Sequence, residues 1–316
     1  MRQGSIPGIK EIEDAARQIA GVACRTPLVE SRPLSRMTGR QVFLKLECFQ
    51  PIKVFKIRGA YNKVSRVKES SVVAASSGNH GIAVAYSSRL LGKKCTVVVP
   101  ETIVREKVEA IEDYGAKVVR KGRLSDEREA RGREIARMTD SAFVHPFNDR
   151  DVIAGQGTCG LEILEQIADF DAIFVPVGGG GLISGISIAL KGMGAVASVI
   201  GVEPTVAPKL TAALAAKRVM RVESASSIAD GLVPSALGEL TYMACSKHVD
   251  RALTVSEGEI LNATNTMINT ARIFAEPSGA APLAPLLSRK EDFGDRVVLV
   301  VSGGNVSKDI LRQTLV

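Results

Sequence analysis

The sequence contains no tryptophan, and aromatic residues make up only 4% of it. Proteins that bind single-stranded nucleic acid stack bases on aromatic side chains, and this chain has few residues suited to that purpose. Its formal net charge is +7, but the basic residues are mixed with acidic ones, as in residues 123–137. Such mixing is typical of a solvated helix face. We therefore expect no nucleic-acid partner.

Cysteine is scarce and follows no pattern. The five cysteines form no C-x-x-C pair, so we expect neither a disulfide framework nor a zinc site. Long apolar runs are also lacking: the longest covers residues 297–301, whereas a membrane-spanning helix needs about 20 apolar residues. The N-terminal stretch shows no apolar core of a signal peptide. These observations predict a cytoplasmic protein with no membrane partner.

Short apolar runs alternate with helix-like stretches along the chain. Predicted strands cover residues 72–75, 95–99, 117–119, 142–144, 172–175, 198–202 and 297–301, and predicted helices include residues 10–19, 81–91, 104–114, 125–138 and 182–190. Continuous apolar strands separated by helices indicate an α/β fold of mostly parallel sheets flanked by helices. A chain of 316 residues has room for two domains. We predict a large domain formed by residues 1–70 and 149–316, and a small mobile domain formed by residues 71–148.

Four consecutive glycines follow one of the predicted strands: Gly178, Gly179, Gly180 and Gly181. Without Cβ atoms, the backbone N–H groups of such a loop can approach a phosphate closely. Taken alone, the run is equally compatible with a tight turn. The chain lacks both the G-x-x-x-x-G-K-[ST] motif and a convincing G-x-G-x-x-G opening its first strand–helix unit. A nucleotide is therefore not the favoured ligand.

Lys56 stands in the segment 54–60, and a lone lysine is usually a surface charge. Two other strand-end loops, 76–81 and 302–305, are predicted to meet the glycine loop, because ligands of open α/β sheets bind outside the carboxyl ends of the strands. A lysine together with a phosphate-binding loop favours a phosphorylated aldehyde as the bound group.

These segments resemble the threonine/serine dehydratase and serine racemase family, which are pyridoxal-phosphate enzymes of fold type II (tryptophan-synthase-β-like). Further resemblance extends over nearly the whole chain, in residues 25–28, 43–47, 152–158, 228–231 and 276–280. It implies pyridoxal 5'-phosphate as cofactor, a homodimer, and deamination of L-threonine or L-serine to a 2-oxo acid and ammonia. The alternative is a serine racemase with or without this lyase activity. A non-catalytic binding relative is a third interpretation, against which the presence of Lys56 argues.

The resemblance also implies roles for individual residues. Lys56 would hold the cofactor as a Schiff base and then remove the substrate α-proton. The remaining cofactor contacts would be Phe55 on the ring, Asn79 at the phenolic oxygen, Ser302 at the pyridine nitrogen, Gly178, Gly179, Gly180, Gly181 and Leu182 at the phosphate, and Gly231 and Glu276 lining the site.

The substrate would lie against the loop that carries Ser76, Ser77, Gly78, Asn79 and His80, whose N–H groups suit a carboxylate. Ser77 has two interpretations: a proton donor on the face opposite Lys56, which makes it a catalytic residue of racemases, or a carboxylate contact alone. His80 is interpreted as a structural hydrogen-bonding residue. Arg58 is predicted to be structural. Arg128 either assists departure of the substrate hydroxyl or is a surface helix charge.

Two departures from the family pattern affect the expected site. Lys53 replaces a small residue before the lysine helix, and either adds positive charge near the site or faces solvent. Family members that bind a divalent cation use a Glu, a carbonyl and an Asp, which align with Glu203, Ala207 and Lys209. A lysine does not ligate such a cation, which requires oxygen donors. We therefore expect no metal here, with Lys209 either beside Glu203 or in solvent.

Overall fold

Two sheets organise the chain in the computed structural model, which describes residues 4–76, 78–122, 125–223 and 225–314. The six-stranded sheet has the order β1-β2-β10-β7-β8-β9, and the four-stranded sheet has the order β5-β4-β3-β6. Only β1 runs antiparallel to its neighbour among the described strands. The strands are β1 (Leu28–Glu30), β2 (Gln41–Leu46), β3 (Ser71–Ala75), β4 (Lys94–Val99), β5 (Lys117–Arg120), β6 (Ala142–Phe143), β7 (Ala172–Pro176), β8 (Ser198–Pro204), β9 (Arg251–Val255) and β10 (Arg296–Val301).

Helices connect the strands and cover the sheets. They are α1 (Ile9–Ile19), α2 (Arg32–Thr38), α3 (Lys56–Val64), α4 (Asn79–Leu90), α5 (Arg105–Glu112), α6 (Ser125–Met138), α7 (Arg150–Gln166), α8 (Gly181–Gly192), α9 (Lys209–Ala216), α10 (Glu239–His248), α11 (Glu257–Asn269), α12 (Pro277–Ala280), α13 (Ala284–Ser288) and α14 (Lys308–Thr314). Short 3-10 turns cover Glu47–Phe49, Asp230–Leu232 and Ala281–Leu283. No helix among the described residues is long and apolar enough to cross a membrane.

Strand β10 shows why the six-stranded sheet is buried on both faces. Val297, Leu299 and Val301 pack into the core on one face, while Val298 and Val300 pack into the core on the other. Successive side chains of a strand point to opposite faces, so a strand covered on both sides requires a continuous apolar run. This is the pattern that the sequence analysis used to predict parallel strands.

The predicted α/β fold with parallel sheets flanked by helices is confirmed. All of the predicted strands occur within one or two residues of their expected ends, although Val144 lies just outside β6. Strands β1, β2 and β9 were not predicted from the run pattern. The domain boundaries stay a prediction, although the four-stranded sheet is built entirely from strands between residues 71 and 143.

Three strand-end loops converge at the carboxyl edges of the sheets. Residues 76–78 join β3 to α4, residues 177–180 join β7 to α8, and residues 302–307 follow β10. Strands β7 and β10 are direct neighbours in the six-stranded sheet, so their loops lie side by side. Between β10 and β7, the order in which strands follow one another across the sheet reverses. α/β proteins form their ligand crevice at a reversal of this kind.

Candidate active site

A cavity of about 330 Å³ lies where these three loops meet. Its wall contains every predicted site residue that the structure describes: Phe55, Lys56, Ser76, Gly78, Asn79, His80, Gly178, Gly179, Gly180, Gly181, Leu182, Gly231, Glu276 and Ser302. Ser77 lies outside the described residues. The fold thus brings together side chains that are as many as 247 positions apart in sequence, from Phe55 to Ser302.

Lys56 is the first residue of α3, and its position is fixed by backbone contacts. The N–H of Phe55 donates to the carbonyl of Ser302 over 3.0 Å, and Val54 forms an isolated antiparallel bridge with Gly303. The Lys56 Nζ donates to the Pro146 carbonyl at 2.9 Å. Burial lowers the pKa of Lys56 to about 8. A substantial fraction of this amine is therefore neutral near physiological pH, the state required of a nucleophile or base.

The glycine loop forms a cradle that side chains would obstruct. A Cβ on Gly179 would lie 2.2 Å from the Phe147 ring, and a Cβ on Gly178 would lie 2.5 Å from the Gly231 carbonyl oxygen. The N–H groups of residues 178–182 donate to no acceptor among the described residues. They stand at the N-terminus of α8, where backbone donors and the helix dipole favour an anion. A phosphate group fits this cradle.

The opposite side of the cavity carries a chain of polar groups. The Asn79 Nδ2 donates to the Glu276 carboxylate at 2.8 Å, and the Asn79 Oδ1 accepts from Asn305 at 2.9 Å. Burial raises the pKa of Glu276 to about 8, and the nearby Asp230 charge adds to the effect. Ser302 is 3% exposed, and its hydroxyl has no partner among the described side chains and backbone groups. These groups suit the polar edge of a planar heterocycle, and together with Lys56 and the cradle they fit pyridoxal phosphate.

The contacts of His80 and Arg58 support the structural roles predicted for them, which stay predictions. The His80 Nε2 is 3.0 Å from the Val144 carbonyl, and burial lowers its pKa to about 3, so this ring is neutral. Arg58 is wholly buried and makes ion pairs of 2.7 Å with both Glu47 and Glu162. These contacts tie the start of α3 to α7.

Arg128 and Lys53 were each given two interpretations, and the structure places Arg128 at the cavity but Lys53 in solvent. Arg128 is 7% exposed, lines the cavity and donates to the Ser125 hydroxyl at 2.9 Å, so its interpretation as a surface helix charge is wrong. Lys53 is exposed, has a left-handed backbone with φ of 58°, and is not among the residues that line the cavity. For Lys53 the solvent-facing alternative holds.

The corner formed by Glu203, Ala207 and Lys209 is closed by an ammonium group. The Lys209 Nζ lies 3.6 Å from the Glu203 Oε2, and both side chains are 0% exposed. The same Nζ donates to the carbonyls of Ala207 at 3.0 Å and Leu232 at 2.6 Å. Burial lowers the pKa of Lys209 to about 8, against the attraction of Glu203. The alternative in which Lys209 points to solvent is wrong.

The sequence analysis missed several residues that shape the cavity. His145, Pro146 and Phe147 form one wall, and none belongs to an apolar run or a motif that would have drawn attention to it. Two ion pairs also lie in the cavity lining: Lys107 on α5 with Asp230, and Arg221 with Asp126 on α6. Pairs so distant in sequence leave no local signal.

Comparisons with known proteins agree with this geometry. The model of a family described as pyridoxal-phosphate dependent enzyme matches residues 19–303. The chain belongs to this family, and pyridoxal phosphate is its cofactor.

Three individual proteins show which members of the family the chain is similar to. The chain is 40% identical to the L-threonine ammonia-lyase of Thermotoga maritima over 96% of this chain and 77% of that protein. It is 40% identical to the catabolic L-threonine dehydratase of Staphylococcus aureus over 97% of this chain and 91% of that protein. The structure of maize serine racemase superposes with a TM-score of 0.93 at 34% identity, covering 99% of this chain and 97% of that one.

Proposed function

We propose that this enzyme is an ammonia-lyase that converts L-threonine and L-serine to the corresponding 2-oxo acid and ammonia. The observation that carries the proposal is the position of Lys56: its amine, with a pKa lowered to about 8, shares one cavity with the glycine cradle and Ser302. The names of the relatives from Thermotoga maritima and Staphylococcus aureus support the substrate assignment.

In this proposal, the glycine loop and the N-terminus of α8 hold the phosphate of the cofactor, while Lys56 provides its covalent attachment. Phe55 would pack on the cofactor ring, and Asn79 would hydrogen-bond its phenolic oxygen. Gly231 and Glu276 complete the lining. When bound, the cofactor withdraws electrons from the substrate Cα and so stabilises negative charge there.

The side chains then have separate tasks in the reaction. The substrate carboxylate binds in the loop of Ser76, Gly78 and His80 at the start of α4, where the N–H groups of Asn79 and His80 are available. The N–H groups of Ser76 and Gly78 already donate to the Val98 carbonyl and the Ser76 hydroxyl. Once the substrate amine has taken its place on the cofactor, the freed Lys56 amine would accept the α-proton, after which the β-hydroxyl would take up a proton and leave as water. The released enamine hydrolyses, so that one hydroxy amino acid yields one 2-oxo acid and one ammonia.

Ser302 favours elimination over transamination in this arrangement. A hydroxyl at the pyridine nitrogen carries no negative charge, so it does not hold the nitrogen protonated as an aspartate would. The cofactor is then a weaker electron sink. A weaker electron sink stabilises the negative charge at Cα only briefly. β-Elimination needs no more than that, because the hydroxyl leaves as soon as the charge forms.

The proposal is tested by incubating purified, cofactor-loaded enzyme with L-threonine and L-serine and measuring 2-oxo acid and ammonia. We expect equal amounts of the two products from either substrate. A protein that shows the visible absorbance of a lysine-bound cofactor but releases neither product would contradict the lyase assignment.

Serine racemisation is the second candidate, and the similarity to maize serine racemase supports it. Elimination and racemisation share the abstraction of the α-proton by Lys56, and they differ in whether the carbon is reprotonated or loses its β-hydroxyl. Measuring D-serine beside pyruvate in the same incubation distinguishes them. In the racemase alternative, Ser77 supplies the proton on the face opposite Lys56.

The chain also carries features that support a homodimer in the cytoplasm. Phe49 and Phe274 are 55% and 59% exposed. A Cβ on Gly304 would touch both the Phe274 carbonyl and the side chain of Cys48, the residue that precedes Phe49. We propose that a second copy covers this apolar surface, which sedimentation of wild-type and Phe274→Glu protein would test. All five cysteines are free thiols, as expected in a reducing compartment.

We propose further that residues 71–148 form the small mobile domain and that residues 1–70 and 149–316 form the large one. The cavity at the junction of the two sheets supports this division, because closure of one wall would enclose a substrate.

A further inference from the structure

The loop between β6 and α7 is held by the ring of His145. The His145 Nδ1 accepts the backbone N–H groups of Phe147 at 3.2 Å and Asn148 at 2.8 Å. This turn resembles those in which an Asn or Asp side chain accepts backbone N–H groups further along the chain. Proline, which stands at the second position of this turn, is favoured there because its φ is fixed. The His145 side chain therefore determines the course of residues 145–148.

One peptide group connects His145 to Lys56. The bond between Pro146 and Phe147 is trans, and a trans peptide is planar with its N–H and C=O pointing in opposite directions. The N–H of this peptide donates to the His145 Nδ1 at 3.2 Å, while its C=O accepts from the Lys56 Nζ at 2.9 Å. Fixing the N–H on one side fixes the direction of the carbonyl on the other. Hydrogen bonds in such a chain also polarise and strengthen one another.

The tautomer of His145 follows from the same contacts. A ring nitrogen that accepts two N–H groups carries no proton, so the neutral ring has its proton on Nε2. That nitrogen lies 3.5 Å from the Glu129 carboxylate, and a negative charge there favours the N–H at this position. The pKa of Glu129 is lowered to about 2, chiefly by His145, so the carboxylate stays charged.

We propose that His145 is a positioning residue for the catalytic lysine: through the Pro146–Phe147 peptide it aims the carbonyl that holds the Lys56 amine in the cavity. His145 also packs edge-to-face against Phe147 at a centroid distance of 4.6 Å, and the Phe147 ring closes the side of the cradle at Gly179. One ring thus sets the attachment point of the cofactor and one wall of its phosphate site. The inference rests on the proposed role of Lys56.

Two substitutions of His145 distinguish the role of its Nδ1 from that of its Nε2. His145→Asn places an oxygen where Nδ1 stands and keeps the acceptor, while His145→Gln keeps a polar group near Nε2 and removes that acceptor. In cofactor-free protein, we expect amide hydrogen exchange at Phe147 and Asn148 to accelerate about five- to tenfold in His145→Gln, the usual effect of losing one hydrogen bond. His145→Asn should stay within about twofold of wild type, because its turn is kept.

The second measurement is the rate of covalent cofactor uptake by cofactor-free enzyme, followed by visible absorbance. A misplaced amine should slow uptake by about 10- to 100-fold in His145→Gln, and His145→Asn should again resemble wild type. Equal rates in the two variants, or unchanged amide exchange in His145→Gln, would overturn the proposal. Failure of the wild-type protein to bind the cofactor at all would instead contradict the proposed function.

A measurement on the unsubstituted protein covers the case in which His145→Gln fails to fold. Nitrogen-15 NMR of the three histidines, with His145 assigned through the Asn variant, reports which ring nitrogen carries the proton. We expect an unprotonated Nδ1 in the folded, cofactor-free protein. A proton on Nδ1 would refute the proposed turn directly.

Discussion

The Lys209 ammonium lies 3.6 Å from the Glu203 carboxylate, and neither side chain is exposed to solvent. The Glu203 oxygens also accept the N–H groups of Leu210 and Thr211, each at 2.8 Å. Burying a charge is costly unless it is paired and hydrogen-bonded, and here both requirements are met. Lys209 supplies the positive charge at the corner that aligns with the cation site of the metal-binding family members.

We predict that the enzyme keeps its activity in excess EDTA and gains little from added Mg²⁺, because a covalently tethered cation already neutralises Glu203. Activity is measured before and after chelation, with and without Mg²⁺. A several-fold loss on chelation that Mg²⁺ restores would contradict this expectation.

Lys209→Met should destabilise the fold by about 3–5 kcal/mol, since removing one partner of a buried pair leaves the other charge uncompensated. Chemical denaturation measures the change. The double variant Lys209→Met with Glu203→Gln is the control, and it should recover part of the loss because no unpaired charge remains. An equally unstable double variant would show that packing, rather than charge, explains the effect.

Lys56→Ala should abolish covalent cofactor attachment and reduce turnover. Loss of a general base commonly costs about 10²–10⁴-fold, and loss of the attachment point adds to that. Visible absorbance and product formation are measured together. Lys53→Ala is a suitable control, because this exposed lysine lies nearby in sequence but outside the cavity. Substantial activity in Lys56→Ala, without an added amine, would contradict the site assignment.

Gly179→Ala should weaken cofactor binding. The added Cβ would lie 2.2 Å from the Phe147 ring, and overpacking of this kind costs about 1–3 kcal/mol, which corresponds to about a 5- to 150-fold increase in Kd. Titration of cofactor-free protein measures the change. Gly258→Ala on α11 is the matched control, because no atom lies within 4 Å of its added Cβ. Equal affinity in the two variants would show that the cradle tolerates side chains.

Ser77→Ala tests the two interpretations of a residue that the structure does not describe. If Ser77 supplies the second proton, D-serine formation should fall while dehydration of L-serine stays measurable. Both products are quantified in one incubation. Racemisation at the wild-type level would leave Ser77 as a carboxylate contact only.

Glu276 should make the stability of the cofactor-free protein depend on pH. Its pKa is about 8 in the fold against an ordinary value of 4.5, so between these values the folded state binds more protons than the unfolded one. Stability from this residue is therefore greatest below pH 4.5 and falls as pH rises to about 8, with a slope of up to about 1.4 kcal/mol per pH unit. Denaturation of wild type and Glu276→Gln across this range should show a shallower decline in the variant. Parallel curves would argue against the raised pKa.

The sequence predicted the strand-end loops well, because buried parallel strands are continuous apolar runs and the loops follow directly from them. Strand β2 escaped the same reasoning. It contains Lys45, which is wholly buried but pairs with Glu162 at 2.6 Å, a residue more than a hundred positions away. The pattern of apolar residues along the sequence does not reveal a partner so far away. A charged residue within a buried strand therefore looks like an interruption of the strand.

The same limit applies to the site. Lys56 and the glycine loop carry local signals, whereas the contacts that connect the His145 turn to Lys56 and Glu129 join residues on separate elements. The hydrogen bond between Asn79 and Glu276 joins residues 197 positions apart. Contacts of this kind become visible only once the sheets have brought the loops together.

The two ion pairs in the cavity lining join the same two parts of the chain, but with their positive and negative members exchanged. Lys107 on one wall faces Asp230, and Arg221 on the facing wall meets Asp126. Residues 71–148 contribute one positive and one negative member to the two pairs, and the rest of the chain contributes their partners, so these four charges sum to zero. Exposed ion pairs contribute about 0–1 kcal/mol each, so the two pairs together oppose separation by at most about 2 kcal/mol. Salt weakens such pairs further, so the contribution of these two ion pairs to holding residues 71–148 against the rest of the chain falls as ionic strength rises.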